Sequence, residues 1–136
     1  MAAKSLRAFL YPTKPANVEI VISERFKDED GNSVKWELRP LSLGEAQALA
    51  DESYVLDAKG NKQFDLKAYN RKMVAKSVVF PNLKDAELQA HYNVLGEVEL
   101  LNVMLTYSEY ERLFVKADKL NSAKEDINDL VKEAKN

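Results

Sequence analysis

Residues 18–38 read VEIVISERFKDEDGNSVKWEL, and this stretch decides the fold class. Apolar and polar residues alternate with a period of two on both sides of a polar centre, which is typical of two half-buried β-strands. The centre contains Asp30-Gly31, and glycine supplies the positive φ of a tight hairpin turn. The stretch therefore predicts a β-hairpin, with these residues on its covered face: Val18, Ile20, Ile22 and Phe26, then Val34, Trp36 and Leu38.

An isolated hairpin is marginal in water, so the rest of the chain must cover that face. Signals for helix starts recur along it. They are a capping box at Ser42 with Glu45, N-caps at Asp65 and Asp85, a start at Glu97, and a second capping box at Ser108 with Glu111. Turn residues 57–61 join two predicted short strands, 54–56 and 62–64. The chain is therefore predicted to be α+β: a small sheet built on a β-hairpin, packed with about five α-helices.

Two helix ends can also be placed. Pro81 sets the limit of the second helix, the one that Asp65 caps. The third helix is expected to end near Tyr92, where Asn93 fits the left-handed conformation of a helix C-terminus.

The chain divides into three parts. Residues 1–17 are predicted to be an arm, because Pro12 and Pro15 favour an extended path. Residues 18–120 form a single α+β domain. Residues 121–136 are a weakly helical C-terminal segment, in which Ser122 and Glu125 repeat the capping pattern before a narrow apolar stripe.

Composition limits the classes of function. The 136 residues carry a formal net charge of −2, which gives no electrostatic reason to expect nucleic acid or an anionic membrane as a partner. Cysteine is absent, so disulfides and thiolate sites are excluded. The apolar piece at residues 6–11 is too short for a signal peptide or a membrane span. We expect a cytoplasmic protein.

Motifs for catalysis or cofactor binding are missing. The acidic run from Asp28 fails as a calcium loop, because Ser33 and Arg39 stand where glycine and glutamate are required. His91 is the only histidine, too few for a typical zinc site. A pair of carboxylates acting as acid and base remains an alternative, because 22 acidic residues allow many pairs and no spacing singles one out. We expect no enzyme, no cofactor and no metal.

Residues 81–115 read PNLKDAELQAHYNVLGEVELLNVMLTYSEYERLFV and indicate binding instead. The helix that starts at Glu97 is apolar on two opposite faces, and such a helix must be covered on both sides. A partner could provide part of that cover, because Tyr and Met are favoured in buried interface centres. The alternative is core packing at a helix–helix corner. The predicted partner-binding residues are Leu100, Met104, Leu105, Tyr107, Tyr110, Ile127, Leu130 and Val131.

Three pieces, SERFKDEDGNSVKWELRPLSLGE, VVFPNLKDAELQAHYNVLG and ELLNVMLTYSEYERL, resemble the XkdN-like phage tail assembly chaperones of prophages in Gram-positive bacteria. The similarity runs from about Leu6 to Leu120. It implies a non-catalytic helper that binds and shields the tape-measure protein before tail-tube subunits polymerise around it. The tail-tube protein is a further expected partner, and a homo-oligomer is compatible with this role. The alternative is a structural tail or head-completion subunit that stays in the virion.

Overall fold

The computed structural model describes residues 4–123 and has the predicted α+β architecture. All five predicted helices are present, together with a one-turn helix in the arm. Within the described residues, no helix is long and apolar enough to cross a bilayer. In chain order the elements are α1 (Arg7–Leu10), β1 (Val18–Ile20), β2 (Trp36–Leu38), α2 (Leu43–Asp51), β3 (Tyr54–Leu56), β4 (Lys62–Phe64), α3 (Leu66–Ser77), β5 (Val78–Phe80), α4 (Ala86–His91), α5 (Glu97–Met104) and α6 (Tyr107–Leu120).

The main sheet has the order β1-β2-β5, with antiparallel pairing throughout. The predicted hairpin supplies β1 and β2, and Ile20 lies opposite Trp36. The sequence does not predict the third strand, β5, because its signals place the end of the second helix at Pro81. That helix ends at Ser77 instead, and Val78–Phe80 extend along β2. Val and Phe favour strands, but a three-residue run directly after a helix shows no alternation of its own.

The core lies between this sheet and the helices. Trp36 is 2% exposed and packs edge-on against Phe26, with ring centroids 5.7 Å apart. Ile22 is also buried, as predicted, whereas Ile20 is only half-buried at the rim. α3 is the central helix and contacts α2, α5 and α6. The other fully buried large apolar side chains are Leu38, Val74, Leu100 and Leu113.

Side chains cap the helices largely where the sequence predicted. The Ser42 hydroxyl accepts from the Glu45 N–H (3.1 Å) and the Glu45 carboxylate accepts from the Ser42 N–H (3.0 Å). Asp65 and Asp85 cap α3 and α4, and Asn93 takes the left-handed conformation with φ 57°.

The second predicted capping box is wrong by two residues. Thr106, not Ser108, is the N-cap of α6, and it pairs with Glu109 instead of Glu111. The sequence fits both, because Thr106-x-x-Glu109 and Ser108-x-x-Glu111 satisfy the same pattern. The first is selected because its glutamate lies against Arg25 of the loop after β1.

Two turns of the pattern Asp-x-x-Gly-Asn have the same geometry. They are residues 28–32 in the main hairpin and residues 57–61 between β3 and β4. In each, the aspartate Oδ1 accepts from the backbone N–H two and four residues later, at 2.9 and 3.0 Å in the first turn and 2.9 and 2.9 Å in the second. The glycine has φ 83° in both. The acidic run is therefore a hairpin turn.

The two ends of the domain differ from the prediction in detail. The arm contains α1, but all its side chains are exposed, and Asn17 anchors its base by donating to Glu37 (2.7 Å). At the other end, Asn121 accepts from the Leu41 N–H (2.7 Å) and donates to Ser77 Oγ (3.2 Å). Asn121 therefore packs with the domain, although the predicted boundary falls before it.

Candidate functional site

The structure separates the predicted partner-binding residues into three groups. Leu100 and Met104 are 0% and 6% exposed and belong to the core, so their side chains are not accessible to a partner in this conformation. For these two residues the core-packing alternative describes the structure. Leu105 and Tyr110 are half-buried, and Tyr107 is 79% exposed. Ile127, Leu130 and Val131 lie outside the described residues.

The surface residues of this set meet at a groove between α3 and α6, which we term the α3–α6 groove. Its volume is about 550 Å³. The helix α6 contributes Tyr107, Tyr110, Phe114 and Val115 to its wall, and α3 contributes Lys67, Asn70 and Arg71. At one end, a smaller depression of about 240 Å³ brings in Leu105. Leu105, Tyr107 and Tyr110 therefore share one continuous concave surface.

The spacing along α6 places a row of aromatic side chains beside the buried stripe of the helix. Tyr107, Tyr110 and Phe114 are three and four residues apart and so lie on the same face. Tyr110 and Phe114 stack with centroids 6.3 Å apart and an interplanar angle of 22°. Leu113 and Ala117, which are fully buried, lie next to this row, since Leu113 follows Tyr110 by three residues and Ala117 follows Phe114 by three. The row therefore runs along the edge of the buried stripe, where Tyr110 and Phe114 are half-buried and Tyr107 is exposed.

Charges of both signs border the apolar wall. Arg71 and Lys67 lie on the α3 side and Glu111 on the α6 side. A hydrogen bond to the Glu111 carboxylate raises the pKa of the Tyr107 hydroxyl. Burial raises the pKa of Tyr110, against the opposing effect of Arg71. Both phenols are therefore neutral at physiological pH, and the groove suits an apolar surface with charges along its edges.

An ion pair that the sequence did not reveal fixes the start of α6. Arg25 donates to both carboxylate oxygens of Glu109, at 2.7 and 2.8 Å, and to the Met104 carbonyl at 3.0 Å. Arg112 of α6 donates to the Ile22 carbonyl (2.8 Å). These contacts hold α6 against the loop after β1. They therefore also fix the position of the aromatic row that α6 carries. Only the Thr106-x-x-Glu109 pattern hinted that Glu109 has a structural role.

The described residues do not form a metal site. Among residues 4–123, no three His, Asp or Glu side chains come together as metal ligands. His91 packs edge-on against Tyr92 instead, with ring centroids 5.0 Å apart. What the groove can do is bury the apolar face of another segment.

Comparison with known proteins identifies the family of this chain. The family model described as phage XkdN-like tail assembly chaperone protein matches residues 6–135. The chain belongs to this family. Tail assembly chaperones are a non-enzymatic class of protein, and their partners are phage tail proteins.

Individual relatives agree with this placement. The chain is 28% identical over 137 residues to the phage-like element PBSX protein XkdN of Bacillus subtilis (strain 168), which covers 95% of this chain and 93% of the relative. It is 30% identical over 124 residues to the uncharacterized protein YqbN of the same organism, covering 88% and 83%. The crystal structure of the protein YqbN superposes with a TM-score of 0.74 over 88% of this chain and 98% of that chain, at 24% identity, and shares the fold.

Proposed function

We propose that this protein is a cytoplasmic, non-catalytic chaperone that binds the phage tape-measure protein and shields its apolar helix surface before the tail tube polymerises. The observation that carries the proposal is the aromatic row of α6 in the α3–α6 groove, in which Tyr107 is exposed and Tyr110 and Phe114 are half-buried, on a member of a tail-assembly family. The tail-tube protein is a second expected partner, because it assembles on the same substrate.

The physical basis is recognition of a helix by a groove. An amphipathic helix inserts side chains spaced three and four residues apart into an apolar groove. Tyrosines such as Tyr107 and Tyr110 bury large area at low cost in side-chain entropy and are enriched among the residues that dominate binding energy. Arg71 and Lys67 at the rim favour a partner helix with carboxylates beside its apolar stripe.

The test is a titration against a soluble helical fragment of the tape-measure protein. Tyr107→Ala combined with Val115→Ala should weaken binding at least tenfold, about 1.4 kcal/mol. Both side chains are exposed, at 79% and 59%, so the melting temperature should not change. Leu95→Ala is the matched control, because Leu95 is 89% exposed and does not line the groove. Equal affinity of the double variant and the control would contradict the proposed site.

A structural subunit that stays in the virion is the competing function. Fractionation separates the two, because a chaperone is absent from purified tails while a structural subunit co-purifies with them. We expect the protein in the cytoplasmic fraction with unassembled tape-measure protein. Recovery in purified particles, at a fixed ratio to the tube subunit, would favour the structural role.

A further inference from the structure

Two exposed apolar surfaces lie away from the α3–α6 groove. The first is on the N-terminal arm, where Leu6, Phe9, Leu10 and Tyr11 are 71%, 82%, 62% and 72% exposed. α1 is a single turn with no buried residue. A helix this short is not stable by itself in water, so a surface that covers it would stabilise it.

The second surface is one face of the ribbon that β3 and β4 form. Pairing places Tyr54 opposite Phe64 and Leu56 opposite Lys62, so Tyr54, Leu56 and Phe64 share a face, which we term the ribbon face. These three side chains are 49%, 69% and 43% exposed, and every residue of both strands is exposed. Within the domain, Phe64 packs against the rings of Tyr54 and Tyr69 (5.4 and 5.7 Å). A two-stranded ribbon needs more cover than this.

The segments that contain the two surfaces have opposite net charge. The described arm, residues 4–17, carries three cations and no carboxylate. Residues 51–66, which contain the ribbon, carry four carboxylates and two lysines. Lys62 lies on the ribbon face opposite Leu56, and the four carboxylates flank the two strands in sequence. Opposite potentials on two apolar surfaces favour their association and fix its orientation.

We propose that the arm of one copy docks on the ribbon face of a second copy, so that copies associate head to tail. The seven residues between Leu10 and Val18 reach up to ~25 Å when extended, which exceeds the ~14 Å radius of gyration of a domain of this size. Asn17 fixes the base of the arm at Glu37, and α1 can extend to a neighbour. Because the contact joins two different surfaces, each added copy leaves one arm and one ribbon face free.

Each contact is expected to be weak. The four arm side chains can bury on the order of 500 Å², less than the ~800 Å² per partner of a standard interface. Copies should therefore separate at low concentration and associate when a long partner gathers them. The inference does not rest on the α3–α6 groove, and its test uses the protein alone.

Crosslinking of single-cysteine variants tests the contact, because the chain has no cysteine of its own. Phe9→Cys protein is mixed with size-tagged Leu56→Cys protein and treated with a short bis-maleimide. The crosslinked product of this mixture should form at least fivefold faster than the product of a control mixture, in which size-tagged Leu95→Cys protein replaces the Leu56→Cys protein. Leu95 is 89% exposed but lies on neither surface. Arg7→Glu in the Phe9→Cys copy, or 0.5 M NaCl, should reduce the yield. Equal yields for the two mixtures would overturn the proposal.

A chain carrying both Phe9→Cys and Leu56→Cys distinguishes contact between copies from docking within one chain. Head-to-tail association predicts a ladder of crosslinked multimers on a denaturing gel. A crosslinked monomer with no ladder would show that the arm docks on the ribbon of its own chain, and would overturn the proposal. Thermal melts of each variant check that the fold is retained.

Discussion

Arg25 and Glu109 lie 84 residues apart and form a two-pronged ion pair, with N–O distances of 2.7 and 2.8 Å. The Glu109 side chain is 3% exposed and the Arg25 side chain 54% exposed. The same carboxylate accepts from the Thr106 N–H (2.8 Å) and so completes the cap of α6. Glu109 therefore joins two functions, since it starts the helix that carries the aromatic row and attaches that helix to the loop after β1.

Replacing Glu109 with glutamine tests this dual role. Gln keeps the capping geometry but loses the charge-assisted bonds to Arg25, so we expect a loss of about 2 kcal/mol in the free energy of unfolding. Denaturant titration measures it. Glu111→Gln, two residues away on the exposed side of α6, is the control and should change stability little. Equal effects of the two variants would contradict the role of Glu109.

Acid should destabilise the protein through two glutamates. Hydrogen bonding to Arg25 holds the pKa of Glu109 well below its usual range, and the bond to Arg39 lowers the pKa of Glu45 to about 2. Each folded-state pKa lies below the unfolded value of ~4.3. The stabilisation is therefore complete above that value and is lost as the pH falls towards the folded-state pKa.

Melting temperatures measured from pH 6 to pH 2.5 check this. The wild-type curve should fall steeply below about pH 4.5. A variant with Glu45→Gln and Glu109→Gln should start lower and show a shallower fall, whereas Glu24→Gln, at an exposed position, should follow the wild type. Parallel curves for the double variant and the wild type would show that these two carboxylates do not cause the loss of stability in acid.

Trp36 should be the most costly residue to truncate in the sheet. It is 2% exposed and packs against Phe26, so Trp36→Ala should cost about 3–5 kcal/mol, as large aromatic truncations in cores do. Ile20→Ala, at its half-buried cross-strand partner, should cost clearly less. Urea unfolding of both variants compares them directly. Similar losses would show that the rim of the sheet is as well packed as its centre.

Neighbouring carboxylates of the acidic turn should differ in their contribution to stability. Asp28→Ser should cost about 1 kcal/mol, because its Oδ1 accepts two backbone N–H groups. Glu29→Ser, at the next position, should stay within ~0.5 kcal/mol. Calcium should leave the melting temperature of the wild type unchanged. A rise of several degrees with calcium would support the metal loop that the sequence pattern argues against.

Two truncations test whether the C-terminal segment contributes to partner binding, to stability, or to both. Removal of residues 124–136 should leave the melting temperature unchanged, yet weaken capture of a tape-measure fragment about tenfold (~1.4 kcal/mol), because Ile127, Leu130 and Val131 are predicted to contact the partner. Removal of residues 121–136 should also lower the melting temperature, because Asn121 binds Leu41 and Ser77. Equal affinities of the full-length and shorter chains would remove the segment from the binding mechanism.

Local signals in the sequence predicted most of the fold. The alternation around Trp36, the capping box at Ser42 and the N-caps at Asp65 and Asp85 each depend on residues within a few positions, and all four predictions are confirmed. The missed features depend on distant partners. β5 is a strand because β2 lies beside it, and the cap of α6 is at Thr106 because Arg25 reaches Glu109.

The candidate site was also predicted only in part from the sequence. The helical spacing of apolar residues in the sequence, together with their type, identified the residues around the start of α6, including Tyr107 and Tyr110. Spacing and type did not distinguish Leu100 and Met104, which are buried in the core, from residues on the surface. An apolar face looks alike in sequence whether its own domain or another molecule covers it. Only the position of α3 decides which side remains open.

The bonds that hold the loop after β1 to α6 also set when the domain can close during synthesis. Arg112 meets the Ile22 carbonyl across 90 residues, and Arg25 meets Glu109 across 84. Ribosomes add roughly 5–20 residues per second, so the hairpin waits on the order of 5–20 s for α6. Until then the apolar faces around Trp36 of the sheet and Val74 of α3 have no complete cover. In its first seconds this assembly chaperone is itself an unfinished chain, and its exposed apolar surface makes it prone to aggregate.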